Sequence, residues 1–101
     1  MALIRTLNHK DRERIRTHFR NLDSDSLYAR FMGTVNQDTL DRYVDRIDFN
    51  RDIILGIEDI ETFELIGLAE VHPDFDQKNN KYSTYEADIA FTVSKINKIK
   101  V

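Results

Sequence analysis

Residues 85–93 read YEADIAFTV, and this stretch decides the fold. Apolar side chains at every second position share one face of an extended chain, and the residues between them share the other face. A helix would instead repeat its apolar positions every three or four residues. The alternation therefore predicts a β-strand, and it is the clearest strand pattern in the chain.

Two further strands are predicted upstream of this one. Residues 53–57 (IILGI) form a short β-branched run, typical of a strand that is buried on both faces. Residues 63–72 form the next strand, and Pro73 should end it because proline cannot donate to the ladder. Gly67 inside that strand indicates a bulge or a close approach of the backbone to a neighbouring group. A polar loop at 74–81 then leads to the strand quoted above.

Three helices are predicted before these strands. Asn8 is a candidate N-cap for a helix over about 9–21, and Asp11 stands where a capping box needs its acidic partner. A short second helix should stop at Gly33, since a residue without a Cβ suits a left-handed C-cap. Asn36 should cap the third helix. That helix carries the clearest apolar stripe, at Leu40, Tyr43, Val44 and Ile47.

The element order predicts the fold class. A short apolar opening at Leu3, Ile4 and Leu7 indicates a first strand, which the helices and the three later strands follow. We expect an α+β domain with a mainly antiparallel four-stranded sheet and two or three N-terminal helices packed against it. The 101 residues suffice for one domain over 1–101.

The composition excludes several kinds of site. Apolar residues make up 41% and charged residues 33%, as in an ordinary globular protein. No cysteine is present, so disulfides, thiol nucleophiles and zinc–thiolate sites are excluded. The three histidines lack metal-ligand spacing, and we expect no metal. The N-terminus does not resemble a signal peptide and no apolar run approaches about 20 residues, so we expect a cytoplasmic protein without a membrane partner.

The charge distribution leaves two interpretations of the first helix. The net charge of −3 argues against nucleic acid as the main partner, although arginines are concentrated in residues 12–20. These arginines could form a basic surface for a polyanion. We favour an ordinary solvated helix whose long side chains cover apolar edges, because the arginines do not share one face.

Three carboxylates are candidate general bases. Glu86 and Asp88 lie on one face of the predicted strand, about 7 Å apart, and Glu70 on the preceding strand is a third candidate. A carboxylate among apolar neighbours can have a raised pKa and accept a proton during catalysis. The alternative is ordinary outward-facing charge on an amphipathic strand, which the pattern favours equally.

The glycines do not form a phosphate cradle. Such a cradle needs closely spaced glycines, so that backbone N–H groups can approach the anion. The sequence has only Gly33, Gly56 and Gly67, and neither a G-x-G-x-x-G nor a G-x-x-x-x-G-K motif.

Three segments of the sequence carry a family resemblance. They read LIRTL and DRERI (3–7 and 11–15), FRNL and SLYARFMG (19–22 and 26–33), and IGLAEV and EADIAFTVS (66–71 and 86–94). In these segments and in their order, the chain resembles the N-terminal half of a domain of the GNAT superfamily of N-acetyltransferases. It is most similar to the GNAT domain of bacterial protein-lysine acetyltransferases.

The resemblance implies acyl transfer from acetyl-CoA to an amine. Asp88 stands where many relatives have a glutamate that acts as general base, in some cases through water. The backbone at Phe91, Thr92 and Val93 stands where relatives pair with the pantetheine arm of the cofactor. These assignments are expectations that come from the family.

The sequence departs from the family after this strand. Relatives continue with a pyrophosphate loop, Q/R-x-x-G-x-G/A, whereas residues 95–101 here read KINKIKV. We therefore expect a domain that lacks the pyrophosphate-loop half, with weak or absent acetyl-CoA binding and inactive or impaired catalysis. The alternative is a non-catalytic GNAT-like interaction or dimerisation module. An uncovered fourth-strand edge or sheet face also predicts a homo-oligomer.

Overall fold

The computed structural model describes residues 2–94, and the predicted α+β class and element order are confirmed. Residues 95–101, discussed above for their sequence, lie outside this range. No helix in residues 2–94 has the length and apolar content to cross a membrane. The elements are β1 Ala2–Thr6, a 3-10 turn His9–Asp11, α1 Arg12–Arg20, α2 Ser24–Phe31, α3 Gln37–Asp45, β2 Ile53–Asp59, β3 Leu65–Asp76 and β4 Lys81–Val93.

The four strands of residues 2–94 form one sheet in the order β1-β2-β3-β4, and every neighbouring pair is antiparallel. The helices lie between β1 and β2 in the chain and pack against one face. We call this the inner face; it carries the buried residues Ile54, Leu68 and Thr92. The opposite face is called the outer face. The side of β4 that points away from β3 is called the free edge.

The core lies between the inner face and the helices. The apolar stripe predicted for the third helix points into it, because helical spacing places its members on one side. Phe19 is completely buried at its centre, with its ring 5.7 Å from that of Phe31 and 5.9 Å from that of Tyr43. The buried core residues are Leu7, Ile15, Phe19, Leu22, Leu40, Val44, Ile47, Ile54, Leu65 and Leu68.

The predicted helix starts are confirmed, whereas one helix end is wrong. Asn8 and Asn36 are N-caps, and each side-chain oxygen accepts a backbone N–H at 2.8 Å. Asp11 completes the capping box by accepting the Asn8 N–H at 3.0 Å. The left-handed residue at the end of α2 is Met32, with φ 56°, and not Gly33. The helix thus ends one residue earlier. The left-handed backbone conformation is less favourable for a residue with a Cβ, such as Met32, than for glycine.

β3 does not end at Pro73 as predicted. It continues to Asp76, and a register shift between Pro73 and Phe75 lets pairing resume at Phe75 with Tyr82. Proline is tolerated at such an irregularity because its missing N–H is not needed there. Residues 74–81, predicted as a loop, therefore form much of the end of the β3–β4 hairpin.

The strand glycines make room for neighbouring side chains. A Cβ on Gly67 would lie 3.0 Å from the Cδ1 atom of Ile57, and a Cβ on Gly56 would lie 2.8 Å from a Leu7 methyl carbon. A register shift between Ile57 and Glu58 lies beside Gly67. The predicted irregularity at Gly67 is therefore confirmed.

The arginines of α1 also bind other parts of the chain, and the prediction of an ordinary solvated helix is wrong for Arg16, which is buried. Arg16 is only 9% exposed and pairs with Asp41 and Asp45 of α3 as well as with its own helix. Arg14 pairs with Glu58 of β2 at 2.8 Å. Acidic residues of neighbouring elements thus neutralise much of the positive charge of this helix.

Candidate functional site

A groove of about 700 Å³ runs along the free edge of β4, with α2 as its other wall. Consecutive residues of β4 line it, so the groove follows the strand edge and not one face of the sheet alone. Within residues 2–94 no strand lies beyond β4. The groove is lined by Ser26, Ala29, Arg30, Met32 and residues 88–93.

The backbone of β4 presents hydrogen-bonding groups to this groove. The N–H of Ser94 donates to the C=O of Ile66 at 2.9 Å, which fixes the alternation of the ladder. In an antiparallel ladder, alternate residues direct both backbone groups to the same side. Thr92 therefore bonds to β3, whereas Phe91 and Val93 turn their N–H and C=O groups toward the groove. Of the three predicted pantetheine contacts, two thus have backbone groups at the free edge.

The Thr92 side chain forms a hydrogen bond with a buried histidine of α1. The Nε2 atom of His18 lies 2.9 Å from the Thr92 hydroxyl, and its Nδ1 atom lies 3.1 Å from the Leu65 C=O. A carbonyl only accepts, so Nδ1 carries the proton and Nε2 accepts from Thr92. Burial lowers the pKa of His18, in agreement with a neutral ring. This ring joins α1 to β3 and β4.

The three candidate carboxylates do not form one cluster. Asp88 lines the groove, is exposed, and lies in register with His72 of β3. Glu86 is also exposed but lines a separate depression near the hairpin end, together with Asp74. Glu70 is completely buried on the inner face. The groove therefore contains Asp88 and not the other two.

Glu70 is bonded through both of its oxygens. Arg30 donates to Oε2 through Nε and to Oε1 through Nη2, both at 2.9 Å. The Tyr43 hydroxyl donates to Oε1 at 2.5 Å, and the Nε2 atom of His72 lies 3.0 Å from the same oxygen. Glu70 thus connects α2, α3 and β3.

The pKa of Glu70 moves in the direction opposite to that expected of a general base. Burial raises it, but the hydrogen bonds from His72, Arg30 and Tyr43 and the charge of Arg30 outweigh burial and lower the pKa to about 2. The expectation of a raised pKa is therefore wrong for this residue. Glu70 is a fixed carboxylate that holds α2 against the sheet.

His72 lies between two carboxylates. Its Nε2 atom faces Glu70, and its Nδ1 atom lies 3.3 Å from Oδ1 of Asp52. Carboxylates only accept, so both ring nitrogens donate and the ring is the charged imidazolium. The hydrogen bond to Glu70 and the charges of both carboxylates raise the pKa of His72, although burial opposes them.

Sequence reasoning missed the partners of Glu70. In the sequence, Arg30 lies within a segment that carries the family resemblance, Tyr43 belongs to an apolar stripe and His72 has no metal-ligand spacing. One feature pointed to them: Glu70 lies inside the apolar run 65–71. A carboxylate at such a position is buried, and a buried charge needs partners. Within residues 2–94 no group of three His, Asp or Glu side chains is arranged to hold a metal ion.

Solved acetyltransferase structures share this fold. The GNAT domain of S. lividans PAT aligns with a TM-score of 0.64 at 21% identity, over 96% of this chain and 56% of that one. A possible acetyltransferase from Clostridium difficile gives 0.58 at 13%, over 99% and 69%. A GNAT family acetyltransferase from Staphylococcus aureus gives 0.52 at 17%, over 94% and 64%. No protein-family model matches the chain, and no curated protein matches it.

These alignments confirm the resemblance at the level of the fold. Residues 2–94 have the architecture of a GNAT domain, and the chain spans 56% of the length of the S. lividans domain and 64% of the S. aureus chain. The chain therefore corresponds to part of those structures.

Proposed function

We propose that this chain is the part of a GNAT-type N-acyltransferase domain that binds the acyl-pantetheine arm of acyl-CoA and positions an acceptor amine beside it. One observation carries this proposal. The groove at the free edge of β4 brings the outward backbone groups of Phe91 and Val93 together with the carboxylate of Asp88.

The groove suits a pantetheine arm. Such an arm is an extended chain with two amide groups, and an extended chain can add to a sheet edge as a further strand does. Phe91 and Val93 offer N–H donors and C=O acceptors about 7 Å apart, the spacing of alternate residues in a strand. The opposite wall is α2, which the contact between Arg30 and Glu70 fixes to the sheet.

The residues of the chain would position the reactants and accept a proton. When bound, acyl-CoA would supply a thioester carbonyl for attack by an amine nitrogen: a C–N bond would form, the C–S bond would break and CoA would leave as a thiolate that takes a proton from solvent. Asp88 is exposed in the groove and would accept the proton that the amine loses, directly or through water. Arg30 keeps its place in the wall because Glu70 and Tyr43 hold it.

The phosphates of CoA fit this chain less well than the arm does. The three glycines are too far apart to form a cradle of backbone N–H groups. Binding then depends mainly on the contacts of the arm, and we expect a Kd weaker than about 100 μM together with slow or absent turnover.

A second candidate function is a non-catalytic interaction module. The outer face of the sheet favours it, because large apolar side chains such as Phe91 and Ile89 are exposed there. Such a module needs no acyl-CoA, so the binding measurement separates the two candidates.

Isothermal titration calorimetry with acetyl-CoA, S-acetyl-pantetheine and adenosine 3′,5′-bisphosphate tests the proposed function. We expect the first two ligands to bind with affinities within about tenfold, and the third, which lacks the arm, not to bind. Absence of heat with S-acetyl-pantetheine at millimolar concentration would contradict the proposal and favour the interaction module. Binding of the bisphosphate alone would contradict the assignment of the groove to the arm.

A further inference from the structure

His72 places a positive charge beside the carboxylate of the groove. It lies directly opposite Asp88 in the register of β3 and β4. Directly opposite residues point to the same face of a sheet, with their Cβ atoms about 4.5–5.5 Å apart. That face is the inner one, because Glu70, two residues before His72 on the same strand, is buried there. The imidazolium is therefore a close neighbour of Asp88, which lines the groove.

The ring makes its hydrogen bonds to other carboxylates and not to Asp88. Its Nε2 atom lies 3.0 Å from Glu70 and its Nδ1 atom lies 3.3 Å from Asp52, so both ring nitrogens are engaged. The influence of His72 on the groove therefore acts through space, as a charge. It is present while the ring is protonated and absent when the ring is neutral.

The network around the ring does not cancel this charge. Glu70 is paired with Arg30 at 2.9 Å, and Asp52 is paired with Arg51 at 2.8 Å. The charged ring adds a third cation to these two carboxylates, so the network carries one net positive charge, which a neutral ring would remove. The groups that face His72 are Glu70 of its own strand, Tyr43 of α3, Asp52 and Arg51 of the turn before β2 and Asp88 of β4, with Arg30 of α2 beyond Glu70.

An amine beside Asp88 would respond to this charge according to its own protonation state. An alkylammonium is attracted by Asp88 but repelled by the imidazolium, whereas a neutral amine interacts much less with either charge. A charged His72 therefore makes the ammonium form less favourable in the groove. The neutral amine is the form whose nitrogen lone pair can attack a carbonyl.

We propose that His72 is a specificity-determining residue of the groove, which while charged disfavours an alkylammonium at Asp88 and favours the neutral amine. This inference rests on the proposed function, because it needs an amine beside Asp88. The partners of His72 raise its pKa above 6.5, so the charge is lost only as the pH rises through that higher value. A cationic amine should then bind more tightly, although its own charge has not increased.

An NMR titration of the full 101-residue chain with n-butylamine, at constant ionic strength between about pH 6 and about pH 9, tests the proposal. This probe stays mostly charged, because the alkylamine of lysine has a pKa of about 10.4. The amide shifts of residues 87–89 should report a Kd that falls about fivefold as the His72 ring loses its proton. His72→Asn should bind at every pH with the higher affinity. His9→Asn is the control, since His9 is exposed on the 3-10 turn and should behave as the wild type.

A second measurement needs no variant. Binding and protonation are linked, so saturating n-butylamine should lower the pKa of His72 by about 0.7, the logarithm of the fivefold change. The ring resonances of His72 measure this shift directly. A merely structural role of His72 would not move its titration when an amine binds.

Four results would overturn the proposal. They are a Kd that stays constant across the His72 titration, a pH dependence that persists in His72→Asn, a His72 titration that bound amine leaves in place, and no amine-dependent shift at residues 87–89. These readouts do not use the acyl arm. Failure of S-acetyl-pantetheine to bind would contradict the proposed function alone, so the two failures are distinguishable.

Discussion

Arg30 and Glu70 form a two-point ion pair, with both N–O distances at 2.9 Å, that fixes α2 to β3. Arg30 belongs to the groove wall, whereas Glu70 is completely buried in the sheet. The guanidinium also lies 4.8 Å from the ring centre of Phe31 and 5.3 Å from that of Tyr43. The width of the groove therefore depends on this pair.

Arg30→Met should destabilise the chain strongly. The methionine keeps an apolar stem but leaves Glu70 buried without its main cationic partner, which typically costs about 3–5 kcal/mol. Urea unfolding measures the loss. The control is Arg20→Met, because Arg20 is 48% exposed and its pair with Asp41 contributes below about 1 kcal/mol. Equal losses in the two variants would contradict the role assigned to the buried pair.

His72 should make the free energy of unfolding depend on pH at values above 6.5, the usual pKa of a histidine. The folded state raises the pKa of His72 above 6.5, so its contribution is complete below pH 6.5 and is lost as the pH rises through the folded value. The free energy of unfolding should decline over that window, and His72→Asn should flatten the decline. Buried His18 has a lowered pKa and acts in the other window, below pH 6.5. An NMR titration of the His72 ring with a midpoint at or below 6.5 would refute this assignment.

Thr92→Val should destabilise the attachment of β4 to α1. The valine has a similar shape but removes the hydroxyl that donates to His18, and a buried nitrogen left without its partner costs about 1–3 kcal/mol. Chemical unfolding measures the difference. Thr84→Val on the same strand is exposed and should change stability by less than about 0.5 kcal/mol. A Thr92 variant as stable as this control would show that the contact contributes nothing.

Local patterns in the sequence predicted most of the elements. The alternation in 85–93 and the caps at Asn8 and Asn36 act within a few residues, so one window of sequence contains the whole physical cause. The prediction that Pro73 ends its strand is wrong because a bulge accommodates the proline. That bulge depends on the partner strand. A difference of one residue in the length of α2 decides which residue takes the left-handed conformation, and in this structure it is Met32.

The site was only partly predictable for a related reason. Strand alternation and family resemblance singled out Asp88, which lines the groove, whereas the partners of Glu70 lie far away in the chain. Arg30 is 40 residues from Glu70, and Tyr43 is 27 residues away. The ion pairs of Arg14 and Arg16 were not predicted for the same reason, because their acidic partners come from β2 and α3. Pairings at such separations are set by packing, which single-sequence patterns do not specify.

Amide hydrogen exchange at the β4 edge, with and without S-acetyl-pantetheine, tests the central claim most directly. The account predicts that the N–H groups of Phe91 and Val93 exchange about tenfold more slowly when the ligand stands at ten times its Kd. The N–H of Thr92, which bonds to β3, should be protected in both states. Unchanged exchange at Phe91 and Val93 in the presence of bound ligand, or new protection confined to another part of the chain, would contradict the account.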